Sequence, residues 1–142
     1  MTKRKGDNPF LFNGDNFMIV MTKETDAKRV QEICEAEGIG YSEDIKLFTA
    51  KDKDEILGYS MYTLTDKLYV INIATPQMLW NSIGDGLFKG TLNLAIENGV
   101  NTAKIEKSLL EKLSGNIIPA EKAREEIDDC EEFLQSIKKC GR

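Results

Sequence analysis

The stretch of this 142-residue chain best equipped for chemistry runs from Ile73 to Val100, IATPQMLWNSIGDGLFKGTLNLAIENGV. An apolar run leads into Pro76, a short connection ends in Ser82-Ile83-Gly84-Asp85-Gly86, and an amphipathic pattern continues to Gly99. A strand feeding a glycine-bearing turn at a helix N-terminus offers free backbone N–H groups and the positive end of the helix dipole to a phosphate. Glycine also lets a ligand approach the main chain closely. The same residues admit a role without a ligand, because Ser82-x-x-Asp85 resembles a capping box with Asp in place of Glu or Gln.

Other groups narrow the chemistry. Glu35, Glu37, Glu43 and Asp44 flank one predicted helix and its exit, where carboxylates either receive a cation or an amine or form a solvated face. The chain has no His, which removes Ser-His-Asp and Cys-His catalysis and the usual transition-metal sites. Cys34, Cys130 and Cys140 match neither a zinc site nor a disulfide framework, and no base stands beside any of them to make a nucleophile, so no metal is expected. Their reduced state suits a cytoplasmic location. A net charge of -5 and a pI near 4.9 argue against nucleic acid and anionic membranes as partners. No run has signal-peptide or membrane-spanning length.

These residues must be positioned by a single domain, since 41% hydrophobic and 30% charged residues over this length give one sizeable core. Residues 1–9 read as a mobile basic tail. Phe10 to Phe12 are apolar, and Phe17 to Met21 read as a first strand. Thr25 or Asp26 then caps a helix with Ala27, Val30, Ile33 and Cys34 on one face and Gly38 past its end. Ile45 to Ala50, Ile56 to Leu64 and Leu68 to Ala74 form an antiparallel meander broken by Lys51 to Asp54 and Thr65 to Lys67. The last of these, LYVINIA, is nearly all apolar and belongs at the centre of the sheet, where its one strongly polar residue, Asn72, must find partners.

After the glycine turn, Leu87, Phe88, Thr91, Leu92, Ala95 and Ile96 make the stripe of a helix that packs on the sheet. Val100 to Ile105 then return as a strand parallel to LYVINIA, because a helix of this length serves as the crossover. Beyond it the chain reads as helical. Ile105, Leu109, Leu110 and Leu113 form a short apolar face ended by Gly115, and Pro119 opens a new helix. In that helix Ala123, Ile127, Cys130, Leu134 and Ile137 form a heptad-like seam, which either packs on its own domain or joins two chains as a homodimer.

The order of elements and the residues after the meander together resemble the GCN5-related N-acetyltransferases (GNAT). Their pattern, V-x-P-x-x-[QR]-x-x-G-[IL]-G-x-x-L, aligns without a gap to Ala74 to Leu87, ATPQMLWNSIGDGL. The resemblance spans roughly residues 16–105, with 106–142 as a helical C-terminal extension in place of the family's usual C-terminal strands. It implies an α/β (α+β) fold, a GNAT-like mixed sheet with an antiparallel meander and one βαβ crossover. The departures are Leu79 at the Arg or Gln position, Ser82 at the first motif Gly, and Asp85 close to where a pyrophosphate would lie.

In that family the strand before the motif splays from its parallel neighbour and the pantetheine of an acyl-CoA enters the gap. Carried over by position, Ile73 and Ala74 would flank the thioester, and Ser82, Ile83, Gly84, Asp85 and Gly86 would surround the pyrophosphate of acetyl-CoA. The implied activity is acyl transfer to a small-molecule or peptide amine acceptor. For the proton transfers this requires, Glu43 or Asp44 are candidate bases, Asn72 an orienting group, and Tyr59 or Tyr62 candidate acids. The alternative from Leu79, Ser82 and Asp85 is a catalytically degenerate binding module, dimeric through Ala123 to Ile137.

Overall fold

A computed structural model describes residues 11–13 and 18–140. The expected tail 1–9, with Phe10 and Phe17, lies outside the described residues. In chain order the elements are β1 (Leu11–Asn13), β2 (Met18–Lys23), α1 (Ala27–Glu37), β3 (Ile45–Asp52), β4 (Glu55–Leu64), β5 (Leu68–Ala74), α2 (Asp85–Glu97), β6 (Ala103–Ile105), α3 (Lys107–Leu113), β7 (Glu126–Ile127) and α4 (Cys130–Cys140). The strands make one seven-stranded sheet in sequence order. All neighbours are antiparallel except β5 and β6, the pair joined by the α2 crossover. LYVINIA is therefore an interior strand, one place from the middle, which β4 holds.

Side chains alternate across a strand, and β4 shows which helix covers which face. Met61 packs with Val30 and Cys34 of α1 and with Ile45 and Leu47 of β3. Tyr62 joins the larger core with Leu87, Phe88 and Leu92 of α2 on the other face. Asp26 caps α1, its carboxylate accepting from the Lys28 N–H at 3.0 Å. At the other end Gly38 turns left-handed with φ 74°, its N–H bonding to the Glu35 carbonyl at 3.1 Å while the Ile39 N–H reaches the Cys34 carbonyl at 2.8 Å. These two bonds are a Schellman termination, which only glycine enters without a Cβ penalty. It stops the helix at Glu37 and turns that side chain toward the sheet. Ala27 is exposed rather than on the buried face, because it occupies the solvent side of the first turn.

On α2, Leu87, Phe88, Leu92 and Ala95 are fully buried, as the apolar stripe predicts. Each large side chain so buried contributes about 1.5 to 3 kcal/mol. Buried Thr91 is satisfied: its hydroxyl donates to the Leu87 carbonyl at 2.7 Å and lies 2.9 Å from the Ser60 hydroxyl.

The C-terminal third departs from expectation. Pro119 does not open a helix running through the seam. One 3-10 turn spans Ala120–Lys122, and Glu126–Ile127 then form β7 on the edge of β6. The Ile105 N–H donates to the Glu125 carbonyl at 2.8 Å and the Cys130 N–H to the Asn101 carbonyl at 2.8 Å. An edge strand with unpaired backbone groups outweighs the helical spacing here. The seam is thus split: Ala123 follows the 3-10 turn, Ile127 lies in β7, and Cys130, Leu134 and Ile137 lie in α4. Ile127, Cys130, Leu134 and Ile137 are all buried in the chain's own core, so the seam is not a surface for a second copy. Among the described residues no helix is long and apolar enough to cross a membrane.

Candidate active site

The site begins with an irregularity in β5. Met61 faces Asn72 and Tyr62 faces Val70, leaving Ile71 as an extra residue, a β-bulge. The parallel ladder to β6 covers only Leu68 to Val70 and stops at this bulge. The chain leaving β6 stays close for one more bond, the Glu106 N–H donating to the Val70 carbonyl at 2.9 Å. The Tyr69 hydroxyl donates to the Glu106 carboxylate. That bond, and burial after it, push the Tyr69 pKa up to about 12. Beyond this anchor α3 turns away, with Leu109 and Leu113 in the core. Among the described residues, no strand pairs with the outer edge of Ile71 to Ala74.

One side chain crosses that edge. The Lys112 ammonium donates to the Ile73 carbonyl at 3.2 Å and to Asn72 Oδ1 at 3.4 Å. It also lies 5.3 Å from the centroid of the Trp80 ring, within cation–π range. Asn72 Nδ2 in turn donates to both oxygens of Glu37, at 3.1 and 3.2 Å. Glu37 also accepts a hydrogen bond from the Tyr59 hydroxyl. Burial first, then this bond and the negative charge of Glu37, push the Tyr59 pKa well above the ordinary phenol range. Tyr59 is therefore protonated throughout the neutral range. The result is a continuous line, Tyr59, Glu37, Asn72, Lys112, running from the face of the sheet beneath α1 to the open edge of β5. Beside it Tyr59, Ala74, Thr75 and Pro76, with Ile56 to Gly58, line a shallow depression of about 190 Å³.

The glycine turn is built differently from the expected loop. Helical structure begins at Gln77, passes through a wide π-type turn over Trp80–Gly84 and continues into α2. Gly84 has helical dihedrals, φ -59° and ψ -40°, and the Asp85 N–H bonds to the Ser82 carbonyl. Ser82 does not cap a helix: its hydroxyl donates back to the Leu79 carbonyl at 3.3 Å. The helix start has moved upstream because Pro76 can open a turn, its carbonyl accepting from the Leu79 N–H at 2.9 Å. The glycines serve packing. A Cβ on Gly84 would lie 3.0 Å from the Trp80 ring, and one on Gly86 would lie 2.7 Å from the end of Met21. Asp85 pairs with Lys89 at 3.0 Å, one helical turn on.

No family model matches the chain, and no curated protein matches it in sequence. Solved structures do match it. The ribosomal-protein-S18-alanine N-acetyltransferase from Escherichia coli superposes with a TM-score of 0.51 at 16% identity, over 77% of this chain and 89% of that one. An aminoglycoside acetyltransferase from an uncultured soil metagenomic sample, solved in complex with trehalose, gives 0.50 at 14% identity over 65% and 78%. The chain has the GNAT fold. A Bacillus subtilis acetyltransferase in complex with CoA also matches, at 22% identity over 67% of this chain and 69% of that one, with a TM-score of 0.45.

On this GNAT sheet the residues singled out by sequence separate into groups. Asn72 and Tyr59 meet, joined by Glu37. Glu43 stands apart and exposed, its backbone carbonyl accepting from Lys46 Nζ at 3.1 Å, and Asp44 is likewise exposed. Tyr62 is fully buried on the opposite face, out of reach of any acceptor. Ile73 and Ala74 lie on the open edge, and Leu79 packs against the core. Ile83 is buried, whereas Ser82 is exposed. Two participants were not resolved by sequence reasoning. Glu37 was one of several carboxylates, and only its place at the Gly38 stop distinguishes it. Lys112 carries no local signal, since its partners Asn72 and Ile73 lie about 40 residues away.

Proposed function

We propose that this chain is an acyl-CoA-dependent N-acetyltransferase using acetyl-CoA as co-substrate and a small-molecule or peptide amine as acceptor. The observation that carries the reading is the juxtaposition, at one end of the sheet, of an open backbone edge with a held carboxylate. Ile71 to Ala74 offer main-chain groups to an amide-bearing arm, as an edge strand does to any extended ligand. Glu37, fixed by Tyr59 and Asn72, offers an anion to an ammonium.

The bound co-substrate supplies an activated acyl thioester. In an extended strand the N–H and carbonyl of one residue point to the same edge, so the Ile73 N–H faces the open side with the carbonyl that Lys112 reaches. It serves as donor to the oxyanion that develops on the acyl carbon. Glu37 attracts the acceptor and removes its proton, and Tyr59 holds Glu37 in place. The diphosphate end, by position Ser82 to Gly86, fits less closely. The Asp85 N–H is already bonded and Gly84 and Gly86 are packed, so no step is assigned to those residues.

Thermal and urea unfolding with acetyl-CoA test the reading. At ~100 times its dissociation constant the co-substrate adds ~2.7 kcal/mol of stability. No stabilisation at millimolar acetyl-CoA overturns the proposal. Glu37→Gln is expected to retain that stabilisation while transfer to an amine panel falls by ~100-fold or more. Unchanged turnover in that variant removes Glu37 from the site.

A further inference from the structure

Lys112 is an exposed residue whose ammonium is nevertheless held at the reacting edge. Its ammonium has two oxygen partners, Ile73 O at 3.2 Å and Asn72 Oδ1 at 3.4 Å, and the face of Trp80 at 5.3 Å. Each partner is itself fixed. The amide of Asn72 is oriented by Glu37, so its oxygen points to the lysine. Trp80 sits against Gly84, where a Cβ would press on its ring. The stem of Lys112 rises from α3, which buried Leu109 and Leu113 and the Tyr69–Glu106 bond fix to the sheet. A primary amine is thus tethered on the one stretch of β5 edge that any ligand lying along Ile71 to Ala74 must share.

We infer that Lys112 is an acyl acceptor within its own chain, a self-acetylation site. The inference rests on the proposed acyltransferase reading, which places the thioester beside Ile73. The ammonium first releases one proton to solvent. The neutral Nζ then attacks the acyl carbon, an N–C bond forms and the C–S bond breaks, and the second proton goes to the departing thiolate, leaving an amide and free thiol. The tether makes this unimolecular once the donor is bound, which is the source of its advantage over a free amine. The product no longer carries a positive charge. Its cation–π attraction to Trp80 is lost, and a single amide N–H is left to serve the two oxygens.

Acetyl-CoA is the probe, read by intact mass and peptide mapping over time beside thermal unfolding of the same samples. The expected result is a single addition of one acetyl group at Lys112. Its rate should be independent of protein concentration and at least ~10-fold above that at Lys107 on the same helix, which is exposed like Lys112. Lys112→Arg should abolish that fast addition while acetyl-CoA still raises the unfolding temperature. Stabilisation by acetyl-CoA with no preferential labelling of Lys112, or labelling whose rate scales with protein concentration, overturns the inference alone. No stabilisation and no labelling overturns the acyltransferase reading and the inference with it.

Discussion

At the scale of single residues, Tyr62 and Asn72 show opposite answers to the same problem. Asn72 interrupts an apolar strand, and its amide is satisfied on both sides by Glu37 and Lys112. Tyr62 is fully buried, and its hydroxyl has no partner among the described residues. Burial pushes its pKa up to about 12, against 10.0 for an ordinary tyrosine. A phenol that ionises later in the folded state than in the unfolded state contributes its full stability below pH ~10. It loses that contribution as pH rises toward 12, at up to ~1.4 kcal/mol per pH unit. Tyr59 and Tyr69 shift in the same direction and add to the alkaline decline. Tyr62→Phe removes a buried, unpaired hydroxyl, so its stability at pH 7 is expected to be unchanged or higher by ~1 kcal/mol. Its decline between pH 10 and 12 should be shallower. Urea midpoints at pH 7 and 11 check both, and a loss above ~2 kcal/mol at pH 7 would mean that the hydroxyl is paired. The polar demand of Asn72 was legible in the sequence. The identity of its partners was not, because Glu37 and Lys112 lie 35 and 40 positions away and are joined to it only by tertiary structure.

At the scale of elements, the three glycines near the start of α2 separate packing from ligand binding. Gly90 lies where a Cβ would sit 2.5 Å from the Phe48 ring, and that ring is itself buried between helix and sheet. Gly86 faces only the flexible end of Met21. Gly90→Ala is therefore expected to destabilise by about 1 to 3 kcal/mol, because a packed aromatic ring must move. Gly86→Ala should be within ~1 kcal/mol of the parent, the gain in helix propensity offsetting a small shift of the Met21 methyl. Equal effects in urea unfolding would contradict this account of the close approach. The meander, the crossover helix and the parallel return strand were all legible, since each is written in local periodicity and turn chemistry. The helix from Pro119 was misread for a physical reason. Ala123, Ile127, Cys130, Leu134 and Ile137 keep helical spacing, yet Glu126–Ile127 are drawn into the sheet by the free edge of β6. A start signal for α4 lay in Asp129-x-x-Glu132: the Asp129 carboxylate accepts from the Glu132 N–H at 3.0 Å and from Asn101 Nδ2 at 2.9 Å. The backbone bond from Glu132, ahead of the bond from Asn101, holds its pKa below the usual carboxylate value.

At the scale of the whole molecule, α4 decides whether the C-terminal third is an appendage or part of the core. Cys130, Phe133, Leu134 and Ile137 are each no more than 5% exposed and belong to the same cluster as the α2 stripe and β5. Phe133 further carries Arg124 over its ring at 5.6 Å. A helix kept for pairing with a second copy would instead leave its apolar seam at the surface of the folded chain. Phe133, Leu134 and Ile137 alone contribute ~4.5 to 9 kcal/mol together, at about 1.5 to 3 kcal/mol each. That sum is comparable with the whole stability of an ordinary domain, 5 to 15 kcal/mol by order of magnitude, roughly. Ending the chain after Asp129 also removes the Cys130 and Glu131 N–H groups that bond to Asn101 and exposes the face of α2 that α4 covers. The truncated chain is therefore expected to be unfolded or aggregated, with no cooperative thermal transition by circular dichroism. A truncated chain that unfolds cooperatively within a few degrees of the parent would show that α4 is dispensable to the core. The open edge of β5 depends on the same packing, because α3, which places Lys112, is held between β5 and the core that α4 completes. Loss of α4 should accordingly abolish any stabilisation by acetyl-CoA.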